Sequence, residues 1–143
     1  MNSKDKGNIA ETIALAELTK LGVQVSVPFG DNARYDLVGD FNGGLQKLQV
    51  KYCGQTTDKN SVVCYCSSSL NHTTNKQRTT YCNDIDFFIF YIAQWDKCLL
   101  VPVQEVGTQK TFNVRRNIPK NNQQEGIHLL DDYVFENSKY LRV

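Results

Sequence analysis

The chain has 143 residues, the length of one ordinary domain, and we expect a single domain spanning residues 1–143. Hydrophobic residues make up 41% and charged residues 22% of the sequence, which argues against a disordered chain and against a membrane protein. The longest apolar stretch, Phe87 to Ala93, is too short to span a bilayer, so we expect an intracellular, cytoplasmic protein. Five cysteines and no apparent secretion signal predict reduced thiols.

The net charge of +1 hides an uneven distribution of acidic and basic residues. Residues 59–83 and 107–124 contain no Asp or Glu but several Lys and Arg. Each stretch can therefore present positive potential to a polyanion. Solvated loops also lack acids by chance, and this simpler interpretation has equal weight for either stretch taken alone.

The first predicted element is a helix that begins within residues 3–5 and ends with Gly22 in the C′ position. The apolar residues of its broad inner face are Ile9, Ile13, Leu15, Leu18 and Leu21, with alanines at 10, 14 and 16. At about 100° per residue, Glu11 projects from this face between Leu15 and Leu18. The pattern therefore predicts one inward-facing carboxylate.

Alternating and apolar stretches predict six strands, at residues 23–27, 34–38, 45–51, 61–67, 85–93 and 98–101. The turn signal Asn42-Gly43-Gly44 predicts a hairpin between the second and third of them. The apolar run in the fifth predicts a strand buried on both faces. Residues 67–83 and 107–124 are predicted to be less regular. A helix followed by strands of this kind indicates a mixed α/β or α+β domain.

Polar side chains on three of these elements are able to converge. The period of two on the third strand places Gln49 and Lys51 on one face and Leu48 and Val50 on the other. A hairpin with the preceding strand brings Asp36 alongside Gln49 and Lys51. Glu11 joins them if the apolar face of the helix packs on this sheet.

This set of side chains suits the hydrolysis of phosphodiesters. Mg²⁺ (or Mn²⁺) is bound by hard oxygen ligands, for which Asp36 is the principal candidate and Glu11 a second ligand or a holder of an outer-sphere water. The backbone carbonyl of Val50 is a candidate third oxygen. Lys51 is expected to orient the attacking water or to stabilise charge that develops in the transition state.

The pattern Glu11, then Arg34-Tyr35-Asp36, then Gln49-Val50-Lys51 resembles the active-site signature of the PD-(D/E)XK nuclease superfamily. The resemblance implies a restriction-endonuclease-like core with a mixed β-sheet flanked by helices, and Mg²⁺-dependent cleavage of DNA. Over its whole length the chain also resembles a cyanobacterial homing endonuclease of this superfamily encoded in a group I intron. That likeness implies site-specific cutting of double-stranded DNA.

The sequence departs from the superfamily pattern at Gln49, where Glu or Asp is usual. The amide removes a full negative charge from the site but keeps an oxygen that can coordinate a metal. We therefore expect weaker metal binding than in a typical member.

Two further expectations concern partners. Cutting both strands of a duplex requires two active sites, so we expect a homo-oligomer, a two-fold dimer from symmetry or a tetramer from the resemblance. Long polar side chains in the two acid-free stretches are candidates for contacts to phosphates and base edges. These candidates are Lys76, Gln77, Arg78, Arg115, Arg116 and Lys120.

Several alternatives stay open at the level of sequence. Asp36 and Lys51 can form an ordinary cross-strand ion pair, and Glu11 can be a surface acid at the rim of the helix. A junction resolvase or a restriction enzyme has the same core. Gln49 also fits a catalytically inactive DNA-binding protein.

A zinc site formed by Cys64 and Cys66 with His72 and Cys82 is the weaker interpretation of the cysteines. The spacing of Cys64 and Cys66 is not that of the usual zinc knuckle. Small, half-buried strand residues are the favoured interpretation.

Overall fold

The structure is a computed structural model, and it describes residues 1–54, 56–67, 83–117 and 127–142, with only the backbone described at 56 and 57. Its elements are the helices α1 (Ser3–Lys20) and α2 (Val103–Val106), the strands β1 (Gln24–Ser26), β2 (Leu37–Phe41), β3 (Gly44–Cys53), β4 (Thr56–Asp58), β5 (Ser61–Tyr65), β6 (Phe87–Ile92), β7 (Lys97–Pro102), β8 (Thr111–Arg115) and β9 (His128–Leu129), and 3₁₀ turns at Leu130–Asp132 and Phe135–Asn137.

The strands form two sheets. The first has five strands in the order β1-β2-β3-β6-β7, in which β3 and β6 are parallel and the other neighbours are antiparallel. The second has four strands in the order β4-β5-β8-β9. The six predicted strands are all present within a few residues of their expected positions.

The β2–β3 hairpin turns through Asn42 and Gly43, because Phe41 pairs with Gly44. Both turn residues have positive φ, 55° and 87°, as a two-residue type I′ turn requires. This tight turn fixes the register, in which Leu37 lies opposite Leu48. The predicted hairpin is confirmed.

Helix α1 packs on one face of the five-stranded sheet through Ala10, Ala14 and Leu18, each with 0% exposure. The expected leucine face is wrong in part, since Leu15 and Leu21 are more than a third exposed. Methyl groups at the contact let the helix lie close to the sheet, and larger side chains there would overpack it at a cost of about 1–3 kcal/mol. The packing of α1 therefore determines where Glu11 lies relative to the sheet.

The two faces of the five-stranded sheet carry two different cores. Alternate residues of β6 enter each: Phe87, Ile89 and Tyr91 lie in the core on the helix side, and Phe88, Phe90 and Ile92 lie in the core shared with the second sheet. All six are buried, which confirms the strand predicted to be buried on both faces. Because β3 lies next to β6, its two faces also look into different environments.

Residues 107–124, predicted to be less regular, contain the strand β8. Its apolar residues Phe112 and Val114 are buried against β5 in the second sheet, where Val62 pairs with Val114. Two apolar residues among polar neighbours are only a weak indication of a strand in the sequence. Pairing with a neighbouring strand decides the conformation here.

Candidate active site

Asp36 lies at the end of the β2–β3 ladder and not inside a strand, which corrects the predicted strand at residues 34–38. Its backbone N–H donates to the carbonyl of Leu48 at 2.8 Å. Its carboxylate Oδ2 accepts a hydrogen bond from the backbone N–H of Val50, also at 2.8 Å. The side chain thus replaces the next rung of the ladder, and this bond fixes the orientation of the carboxylate.

Glu11 reaches the same point from α1. Its half-buried carboxyl shares a hydrogen bond with the carboxyl of Asp36. Burial raises the pKa of Glu11 to about 7, and the hydrogen bond and charge repulsion from Asp36 add to the shift. Two carboxyl groups placed this close favour either a shared proton or a cation between them.

Lys51 is on the opposite face of β3 from Val50, toward the second sheet, and is half-buried. Its ammonium Nζ donates to the backbone carbonyl of Ser67 at 3.3 Å. Burial lowers the pKa of Lys51, and the negative charge of Asp36 acts in the opposite direction. Asp36 therefore interacts with both Glu11 and Lys51, which approach it from different sides of the sheet.

Gln49 and Val50 complete the segment. Gln49 is half-buried, lies on the same face of β3 as Lys51 and is aligned with Phe88 of β6. The N–H and C=O groups of one strand residue point to the same side, so the Val50 carbonyl faces the side on which its N–H meets Asp36. The Val50 carbonyl can therefore offer a neutral oxygen beside Asp36, and Gln49 carries an amide oxygen one residue away along β3.

This donor set fits a divalent cation. Two facing carboxylates and a backbone carbonyl are the hard oxygen ligands that Mg²⁺ or Mn²⁺ prefers. Within the described part of the chain, no three His, Cys, Asp or Glu side chains group as metal ligands. At the position where the superfamily usually has a further acid, this chain carries Gln49.

Sequence reasoning missed Ser67. Its carbonyl holds the ammonium of Lys51, although Ser67 follows β5, which belongs to the other sheet. The two residues are 16 positions apart, and their contact depends on how the sheets pack. A serine after an alternating strand gives no sequence signal for this role.

The predicted DNA contacts fall into two groups. Arg115, half-buried, is the last residue of β8, and its side-chain Nε donates to the carbonyl of Asn117 at 3.4 Å. Arg116 is exposed, and its backbone N–H donates to the carbonyl of Asn60. Both arginines belong to the second sheet or its border. Lys76, Gln77, Arg78 and Lys120 lie outside the described residues.

Cys64 and Cys66 are buried, with 0% and 2% exposure, in β5 and just after it. Burial raises the pKa of the Cys66 thiol to about 12, so the neutral thiol is favoured. Cys64 is a strand residue as predicted, whereas Cys66 follows the strand, and both are buried rather than half-buried. His72 and Cys82 lie outside the described residues.

The fold and the arrangement of these residues define a class of nuclease. The family model described as PD-(D/E)XK endonuclease matches residues 1–136, and the chain belongs to this family. The predicted superfamily and its mixed α+β core are thereby confirmed.

Among solved structures, the chain is similar to a bacterial homing endonuclease, I-Ssp6803I. The two share 28% sequence identity with a TM-score of 0.69, and the match covers 87% of this chain and 84% of that one. No curated protein matches the chain at a significant level. Of the helices in the described residues, none is long and apolar enough to cross a bilayer.

Proposed function

We propose that this endonuclease is a site-specific enzyme that hydrolyses both strands of duplex DNA, and that it serves as a homing endonuclease encoded by an intron. The observation that carries the proposal is the pair of carboxyls, Glu11 and Asp36, at the end of the β2–β3 ladder with Lys51 beside it. The likeness to a homing endonuclease at 28% identity supports the biological role.

Asp36, Glu11 and the carbonyl of Val50 are the proposed ligands of Mg²⁺ or Mn²⁺. When bound, the metal polarises the scissile phosphate and lowers the pKa of a coordinated water. The Val50 N–H holds Asp36 in place at 2.8 Å, so this ligand is oriented before DNA arrives. A bound cation would offset the repulsion between these two carboxyls, because it attracts both of them.

Lys51 is proposed to donate to the scissile phosphate or to the attacking water. Its ammonium is held by the Ser67 carbonyl at 3.3 Å, which fixes the position of this positive charge relative to Asp36. Asp36 favours the charged form of Lys51 against the effect of burial. A buried, fixed cation stabilises developing negative charge more effectively than a hydrated one.

Gln49 is proposed to bind the metal, or a water on it, through its amide oxygen. The lost negative charge weakens the Coulomb attraction to a divalent cation. We therefore expect a higher metal requirement than that of a family member with an acid here.

One chain supplies one such site within a single domain, residues 1–143. A dimer or a tetramer of identical chains is then the proposed assembly, with the two sites aimed at opposite strands of a duplex. Lys76, Gln77, Arg78, Arg115, Arg116 and Lys120 are the proposed contacts to phosphates and base edges.

The test is cleavage of a plasmid library that carries randomised inserts, in Mg²⁺ or Mn²⁺, followed by sequencing of the new ends. Site-specific cutting gives one recurring sequence, and Asp36→Ala abolishes it. Asp40→Ala, at an exposed position of β2, the strand that follows Asp36, is the matched control and keeps full activity.

Other outcomes separate the alternatives. Cutting of four-way junctions of any sequence would favour a resolvase with the same core. DNA binding without cleavage in any divalent metal would favour the inactive binding protein that Gln49 suggests.

A further inference from the structure

The segment between β1 and β2 places a large apolar side chain fully in solvent. Phe29 is 105% exposed and its neighbour Val27 is 66% exposed, the former the highest value among the large hydrophobic residues that the structure describes. Gly30 follows with φ of 89°, a conformation that suits glycine and turns the chain directly after Phe29. Two exposed apolar side chains two positions apart make this segment a small apolar tip.

The register of the sheet places this segment at the active-site end. Strand β1 ends at Ser26 opposite Val38, and the chain returns at Leu37, immediately after Asp36. The segment therefore leaves and re-enters the sheet beside Asp36. The opposite end of β2 is the hairpin turn at Asn42 and Gly43.

The two ends of the segment are attached to the rest of the molecule, and the tip between them is exposed. On one side the β1–β2 ladder fixes Ser26. On the other, Arg34 forms an ion pair with Asp84, at 3.2 Å between Nε and Oδ2, and Tyr35 packs against the core shared by the two sheets. A tip held in this way loses less conformational entropy on binding than a loose one.

A chain of seven residues reaches at most about 25 Å, which bounds the separation of Phe29 and Asp36. One turn of duplex DNA is about 34 Å long. Phe29 therefore lies within the length of one duplex turn of a scissile phosphate held at Asp36. Asp31 is the one charged residue of 27–33, so this tip is not built to bind phosphates.

We propose that Phe29 contacts the bases of the bound duplex, as a wedge at a base step or by stacking on a splayed base, within one turn of the cleaved bond. This inference rests on the proposed function, because it assumes that duplex DNA binds at Asp36. Apolar side chains inserted at base steps are an established way to kink a duplex, and aromatic contacts to bases add substantially to affinity.

The experiment measures binding of the cleaved duplex by fluorescence anisotropy in EDTA for three proteins: the wild type, Phe29→Ala and Leu45→Ala. Leu45 is the matched control, because it is 72% exposed but lies beside the hairpin turn at the other end of the sheet. We expect Phe29→Ala to raise Kd about tenfold or more and Leu45→Ala to leave it unchanged. The salt dependence of binding stays the same, since no phosphate contact is lost.

A second variant gives a direct readout. In Phe29→Trp, the indole emission is expected to be quenched on addition of the duplex, and affinity stays close to that of the wild type. Unchanged affinity in Phe29→Ala together with unchanged emission in Phe29→Trp would overturn the inference. A lower oligomer mass for Phe29→Ala by light scattering, with unaltered affinity per site, would overturn it in favour of a second copy of the chain as the partner.

These outcomes are distinct from failure of the proposed function. If the proposed function is wrong, the wild type itself does not cut DNA. If the wild type cuts and Phe29→Ala binds equally well, the inference alone fails.

Discussion

The acidic half and the basic half of the candidate active site depend on different parts of the molecule. Glu11, Asp36 and Val50 meet within the first sheet and the helix that packs on it, all inside the first 53 residues. Lys51 is anchored instead by Ser67, beyond a strand of the second sheet. The proposed metal ligands are thus positioned by the first sheet and its helix, whereas the position of the Lys51 ammonium depends on how two sheets pack.

The largest expected effect is that of Asp36→Ala. The change removes the proposed principal metal ligand and also the acceptor of the Val50 N–H. We expect cleavage to fall by at least about a thousandfold, with binding of the duplex largely intact. Single-turnover cleavage in Mg²⁺ measures the loss, and retained cutting would remove Asp36 from the site.

Lys51→Ala tests the basic half. We expect about a hundred- to a thousandfold loss of the cleavage rate, because a fixed donor to the transition state disappears. The affinity for Mg²⁺ should change little, since the proposed metal ligands belong to the other half. Lys20→Ala, on the exposed side of α1, is the control. A loss of metal binding in Lys51→Ala would show that the halves are not independent.

Gln49→Glu restores the missing acid between the two halves. The added charge is expected to lower the Mg²⁺ concentration for half-maximal cleavage by about tenfold. Gln24→Glu adds the same negative charge at an exposed residue of β1 and should have no such effect. The titration of cleavage against Mg²⁺ is the measurement, and equal midpoints for all three proteins would contradict the proposed role of Gln49.

Arg116→Ala concerns DNA binding at the border of the second sheet. We expect a severalfold rise in Kd that is the same for all sequences, and a decrease of about 1 in the salt slope, as for a single lost phosphate contact. Lys4→Ala, exposed on α1, controls for net charge. An unchanged slope would indicate a solvated arginine.

The smallest expected effect is on stability without metal. The pKa of Glu11 is about 7 in the folded protein and 4.5 as its ordinary value, so the unfolded chain loses this proton first as the pH rises. The stability attributable to protonated Glu11 is present below pH 4.5 and is lost between pH 4.5 and 7. Glu11→Gln should therefore raise Tm in EDTA at pH 8 but not at pH 4. Mg²⁺ should stabilise the wild type more than the variant.

Local features of the sequence foretold much of the fold. The hairpin could be predicted because Asn42 and Gly43 suit the positive φ values of its turn. The buried strand β6 could be predicted because six consecutive apolar residues have few other stable arrangements. By contrast, β8 was missed because its two apolar residues are too few to predict a strand, and pairing with β5 determines its conformation.

The candidate site divides in the same way. The alternation of β3 placed Gln49 and Lys51 on one face, and its burial pattern agrees. The position of Asp36 just before β2 was not foreseen, because its side chain bonds to Val50 in place of a backbone rung. Residue spacing does not reveal such a substitution.

The sequence by itself determined the residue types of the site, the hairpin that brings Asp36 to β3 and the helix that carries Glu11. Those relations follow from turn chemistry and from the periods of strand and helix, which act over a few residues. Only the tertiary structure decided that Ser67 holds Lys51 and that Phe29 stands at the same end of the sheet as Asp36. Both depend on the packing of sheets and the pairing of strands, which are set by the burial of the whole core.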